Sequence, residues 1–156
     1  MITVPEFIAE LTEDAYARLL RAAQAVPSDR AEWTVNEHGR STLDQMQEVA
    51  VITRNFPAIV RSASFASFDR SAFEVAKTEL PSLAAAITAV EAALPELLEV
   101  IRSFPMDQLE NPIMLPFRGG TPSTMARLLA MPAWNSTYHD GQVNFIQRLY
   151  GDLEMH

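Results

Sequence analysis

An all-α four-helix bundle is the fold class this 156-residue chain predicts. Four long segments carry apolar residues at steps of three and four. No stretch alternates apolar and polar residues as a half-buried strand does, and capping residues, proline or glycine flank each segment. A hydrophobic content of 48% in a chain of this length suits one compact domain, residues 1–156.

The first helix starts at Thr3-Val-Pro-Glu6, a capping-box spacing with proline where the backbone N–H is orphaned in any case. Phe7, Leu11, Ala15, Leu19, Ala22 and Val26 mark its apolar face, and Pro27-Ser-Asp29 ends it. Residues 30–40 show no sustained period and read as a loop laying Trp33 over one end of the bundle. Ser41 then caps a second helix, with Asp44 at the capping-box position. Glu48, Ile52, Asn55 and Ile59 share one face of it, which makes Glu48 a candidate buried acid. Pro57 is expected to kink or loosen its last turns. Residues 62–69 read as a mobile connection anchored by Phe65 and Phe68.

Pro81 opens a third helix whose stripe is the most regular in the chain: Leu83, Ile87, Val90, Leu94, Leu97, Ile101 and Phe104. Its apolar register continues across Pro95, which predicts a bend rather than an end. The aliphatic length of this helix suggests a homodimer. Residues 105–120, with three prolines and Gly119-Gly120, form the long connection, and Thr121-Pro122 is expected to restart a helix. That fourth helix carries Asn135, His139, Gln142, Ile146 and Leu149 at steps of four and three, a polar group set in a core-facing stripe, and Gly151 closes it. A buried imidazole or carboxamide left unanswered costs about 1–3 kcal/mol, so these groups need partners inside.

Twelve basic against twenty acidic residues give a net charge of −8, with Lys77 the single lysine. This balance argues against nucleic acid or an anionic membrane as partner. No cysteine is present, so disulfides, thiolate metal sites and a cysteine nucleophile are excluded. With no leader-like start and no long unbroken apolar run, the expectation is a soluble cytoplasmic protein. Serine-triad, phosphate-loop and paired-histidine zinc motifs are absent from the sequence.

Arg40-Ser-Thr-Leu-Asp-Gln-Met-Gln-Glu48 and Tyr138-His-Asp-Gly-Gln-Val143 resemble motifs of the DinB/YfiT-like superfamily of four-helix-bundle metalloenzymes. The resemblance implies an up-down-down-up DinB-like bundle, a homodimer and hydrolase or thiol-transferase activity on a small molecule it does not identify. It also implies a divalent metal held by three histidines, one on the second helix and two on the last. Here the matching positions hold Glu48, Asn135 and His139, so two of three imidazoles are replaced. The trio would offer oxygen, oxygen and nitrogen to a nickel, zinc or manganese ion, or hold none. Without a metal, His139 and Glu48 would serve as catalytic base and orienter. The alternative is a non-catalytic binding or dimerisation protein whose Glu48, Asn135 and His139 form a hydrogen-bonded plug. Gln142 reads as a supporting or structural residue, Trp134 and Tyr138 as a helix interface, Arg118-Gly119-Gly120 as a plain turn, and His38 and His156 as solvated.

Overall fold

The computed structural model describes all 156 residues, Met1–His156. Five helices occur: α1 (Val4–Gln24), α2 (Thr42–Ser62), α3 (Arg70–Thr78), α4 (Leu83–Arg102) and α5 (Met125–Leu149), with a hairpin of β1 (Pro112–Leu115) and β2 (Thr121–Thr124) before the last. α1, α2, α4 and α5 are the four long helices expected. No helix is long and apolar enough to cross a membrane.

Side-chain contacts fix the helix directions. Gln147 Nε2 donates to Ala22 O and Arg18 faces Asp140 at 4.0 Å, so α1 and α5 run parallel. Gln47 Nε2 donates to Leu80 O and Arg61 pairs with Glu96, so α2 and α4 also run parallel. Gln24 with Glu91, and Arg102 with Glu13, set α1 against α4. The order is therefore up-down-down-up. The α1/α5 and α2/α4 pairs pack most closely, and α2 against α5 least closely among the bundle neighbours.

Thr3 and Glu6 complete their capping box, and Ser41 Oγ accepts from Asp44 N at 3.1 Å. The expected box at Ser41 is left half-made, because the Asp44 carboxylate turns to Arg40 and Lys77 instead of the Ser41 N–H. The α4 stripe is buried from Leu83 to Ile101, with Leu94 and Phe104 half-buried. α2, α4 and α5 each continue through their internal proline. Gly151 follows α5 at φ 102°, a left-handed position that suits glycine. Trp33 does cover one bundle end, meeting Tyr150 edge-on at 5.8 Å between ring centres.

Several expectations need correction. On α1 the core face is Ile8, Thr12, Ala15, Tyr16, Leu19 and Ala23, while Phe7 and Leu11 are exposed. Successive steps of four each turn about 40° past a full revolution, so a stripe traced backward from Ala15 leaves the core within two turns. On α5 the buried line is Leu128, Leu129, Pro132, Ser136, His139, Val143, Ile146 and Gln147, with Gln142 half-buried and Leu149 exposed. Thr124, not Thr121, caps α5, and Thr121-Pro122 lies in β2. Pro122 is tolerated in β2 because a two-stranded sheet consists of edges.

Candidate functional site

The loose α2/α5 interface opens into a cavity of about 500 Å³. Glu48, Val51, Ile52, Asn55, Phe56 and Ile59 form its α2 wall. The half-exposed stripe that the sequence marked on α2 is thus a cavity face, while Met46, Val49, Thr53 and Val60 point into the core. Phe65 and Phe68 from the connection, Phe73 from α3 and Phe117 from the hairpin turn close other sides. Asn135, Trp134 and Tyr138 supply the α5 wall, and the last two rings stack at 5.8 Å with 16° between planes. Trp134 is 67% exposed, so these two aromatics form a rim, not a helix interface.

Behind Glu48 lies His139, with none of its surface exposed. His139 Nε2 is 3.3 Å from Glu48 Oε1, and its Nδ1 is 3.0 Å from Gln45 Oε1. The carboxylate can only accept, so Nε2–H donates to it. A carboxamide can answer Nδ1 in either charge state of the ring: its oxygen accepts from an imidazolium, and its NH₂, after the amide turns over, donates to a neutral ring. Gln45 therefore satisfies Nδ1 in either tautomer assignment of the pair. It lies one helical turn before Glu48 on α2, and that spacing was the only sequence signal for it.

Glu48 Oε2 receives a second charged partner, Arg40 Nη2, at 2.8 Å. Arg40 Nε donates to Asp44, and Asp44 Oδ1 is 2.6 Å from Lys77 Nζ on α3. A chain of alternating charge thus runs from Glu48 through Arg40 and Asp44 to the lone lysine. Burial opposes the charge on Glu48, yet the His139 hydrogen bond and the Arg40 charge outweigh it and hold its carboxyl below the ordinary carboxylate range. Asp44 is likewise held low by Lys77 and Arg40 against its burial. Arg40 holds its proton more firmly than usual, because its two acidic partners overcome its desolvation.

Of the sequence-predicted site residues, Glu48 and His139 are in contact, and Asn135 lies one turn before His139 on the cavity wall. Asn135 Oδ1 is buried without a hydrogen-bond partner. His156 is not fully solvated: it is half-buried, with Nε2 2.9 Å from Asp152 Oδ2. His38 is exposed beside Glu37, as expected. The Arg118-Gly119-Gly120 segment is a turn of three positive-φ residues between the two strands.

A divalent ion requires donors of suitable spacing and chemistry, and the site meets only the first. Two ligands each about 2.1 Å from one ion stand about 3.0–3.4 Å apart, and Glu48 Oε1 and His139 Nε2 meet that spacing. The remaining chemistry does not fit. One imidazole is present, the single carboxylate is already bound by a guanidinium, and the third donor is a neutral amide that binds such ions weakly. No group of three His, Asp or Glu side chains is arranged to hold an ion.

The arrangement of α1, α2, α4 and α5 recurs in solved four-helix-bundle structures. YfiT from Bacillus subtilis, "a probable metal-dependent hydrolase with an unusual four-helix bundle topology", superposes with a TM-score of 0.77 at 13% identity, over 94% of this chain and 87% of that one. A mutant of the mycothiol-dependent maleylpyruvate isomerase matches with a TM-score of 0.72 at 13% identity, over 92% of this chain and 63% of its own. This chain thus spans less than two thirds of the isomerase. No family model and no curated protein sequence matches the chain. Identities this low establish the shared fold.

Proposed function

We propose that the protein is a DinB-like enzyme acting on a small molecule with a largely apolar or aromatic body, with Glu48 as the catalytic residue. The observation that carries this reading is a carboxylate at the wall of an aromatic-lined cavity, clamped from behind by a buried histidine and an arginine. Such a cavity is of ligand size and offers few convergent polar groups, as small-molecule sites do. The descriptions of the two structural neighbours, a probable metal-dependent hydrolase and a mycothiol-dependent isomerase, support the broad class of enzyme.

Glu48 would accept the proton of an O–H, N–H or S–H group entering the cavity, as general base. Arg40 and His139 keep it ionised before that step, and their hydrogen bonds weaken once it is protonated, which favours release of the proton. His139 does not line the cavity and acts through Glu48, as a positioning residue. Asn135 and Asn55 are the other amides available to a polar head group, and the surrounding rings exclude water.

A second reading is favoured by the complete burial of His139, whose two nitrogens are both answered: a non-catalytic binding protein with a polar clasp. One experiment separates the two. Turnover of panels of aryl esters, amides and thiol acceptors is measured for the native protein, Glu48→Gln and Trp134→Ala. The enzyme reading expects a loss in kcat of about 10²–10⁴-fold in Glu48→Gln, with Trp134→Ala acting mainly on KM. Turnover that survives in Glu48→Gln removes Glu48 from the chemistry and overturns this reading.

A further inference from the structure

We propose that Arg40 takes the place of a divalent cation at this centre, so that the Glu48–His139 pair is assembled by a built-in organic cation and needs no metal. A metal ion in a facial site does two structural jobs: it neutralises the anionic ligand, and it fixes ligands from different helices against one another. Both are already done here. The Arg40 guanidinium supplies the charge, 2.8 Å from Glu48 Oε2. His139 Nε2–H ties the other carboxylate oxygen directly to α5 at 3.3 Å.

Arg40 is anchored for this task. It precedes the Ser41 cap of α2, and its side chain runs along the first two turns to Asp44 and Glu48, four and eight residues on. Its Nε donates to Asp44 and its Nη2 also reaches Asp44 O at 3.3 Å. Asp44 is oriented in turn by Lys77 Nζ, only 12% exposed. A planar guanidinium with several fixed donors is suited to hold a carboxylate in one orientation. A divalent ion entering beside it would face this positive charge and would have to share the single anionic ligand.

The consequence separates this protein from metal-dependent chemistry on the same scaffold. A guanidinium offers no open coordination position at which water could be ionised, so any turnover at this centre would rest on proton transfer at Glu48. The inference rests on Arg40, Glu48 and His139 alone, and a failure to find turnover leaves it standing.

Binding of Zn²⁺, Ni²⁺ and Mn²⁺ to the chelator-treated protein, followed by calorimetry and by metal content after gel filtration, tests it. The native protein is expected to retain less than about 0.1 equivalent of each ion, and its melting temperature not to change with chelator. Removing the guanidinium in Arg40→Gln should raise affinity for Zn²⁺ by about tenfold or more, whereas Arg40→Lys, which keeps the charge, should not. Near-stoichiometric metal on the native protein that disappears in His139→Ala would overturn the proposal, and so would equal Zn²⁺ affinity in the native and Arg40→Gln proteins. If Arg40→Gln does not fold, the native and His139→Ala titrations decide alone.

Discussion

Gln45 Oε1 lies 3.0 Å from Nδ1 of His139 across the α2/α5 interface, and both side chains are buried. The buried carboxamide is the group that answers this ring nitrogen. Replacing Gln45 by Leu strands Nδ1 and should destabilise the fold by about 1–3 kcal/mol, read by urea unfolding. A silent substitution would mean that the histidine is satisfied some other way.

Acid should loosen the same region. Glu48 and Asp44 are both held below their ordinary values, so the folded state binds fewer protons than the unfolded chain near those values. Their contribution is complete above about pH 4.5, the ordinary value for Glu48, and is lost as pH falls through the folded-state values. Asp140, pushed up by burial, acts in the opposite sense. The expected profile falls in acid, less steeply in Glu48→Gln and Asp44→Asn. An unchanged acid slope in both variants would contradict the charge chain.

The cavity rim and the core should respond differently to truncation. Trp134 is 67% exposed, so Trp134→Ala should change stability by no more than about 0.5 kcal/mol. The same change should weaken binding of the fluorescent apolar probe 1-anilinonaphthalene-8-sulfonate. Leu128→Ala, at a site with no exposed surface, should cost about 2–5 kcal/mol. Equal losses of stability at the two positions would place Trp134 in the core after all.

α3 has no buried residue, packs mainly on α2, and is held by Lys77 to Asp44 at 2.6 Å. Lys77→Met should therefore speed hydrogen exchange over residues 70–78 while the core of α2 stays protected. Added salt should do the same in the native protein in milder form, since the Asp44 side chain is partly exposed. Uniform exchange across both helices would show that apolar packing, not this ion pair, holds α3.

The four long helices were legible because each buries a broad stripe and carries its own caps: Thr3 and Glu6, Ser41, and the α4 series from Leu83 to Ile101. α3 was missed because its nine residues are too few for a period to stand out, and its inner face, Phe73, Ala76 and Lys77, is only half-buried. β1 does alternate, with Ile113 and Leu115 inward, but four residues are too few to distinguish a strand from irregular chain. On α5, the step of seven from His139 to Ile146 falls only about 20° short of two turns, but the further step of three to Leu149 falls about 60° short of one, which carries Leu149 off the buried line that holds His139 and Ile146. The contact between Glu48 and His139 was expected from residue type and position. Arg40 and Gln45, which define what that contact can do, stood in the same motif unrecognised. Their roles depend on how α2 is rotated against α5, and α2 alone does not encode that.

The most direct test of the account is a double-mutant cycle on the pair at its centre. Unfolding free energies are measured for the native protein, Glu48→Ala, His139→Ala and the double variant. The 3.3 Å contact predicts a coupling energy of about 0.5–3 kcal/mol. Additive effects, within about 0.3 kcal/mol, would contradict it, leaving a helical bundle without a joined carboxylate and imidazole.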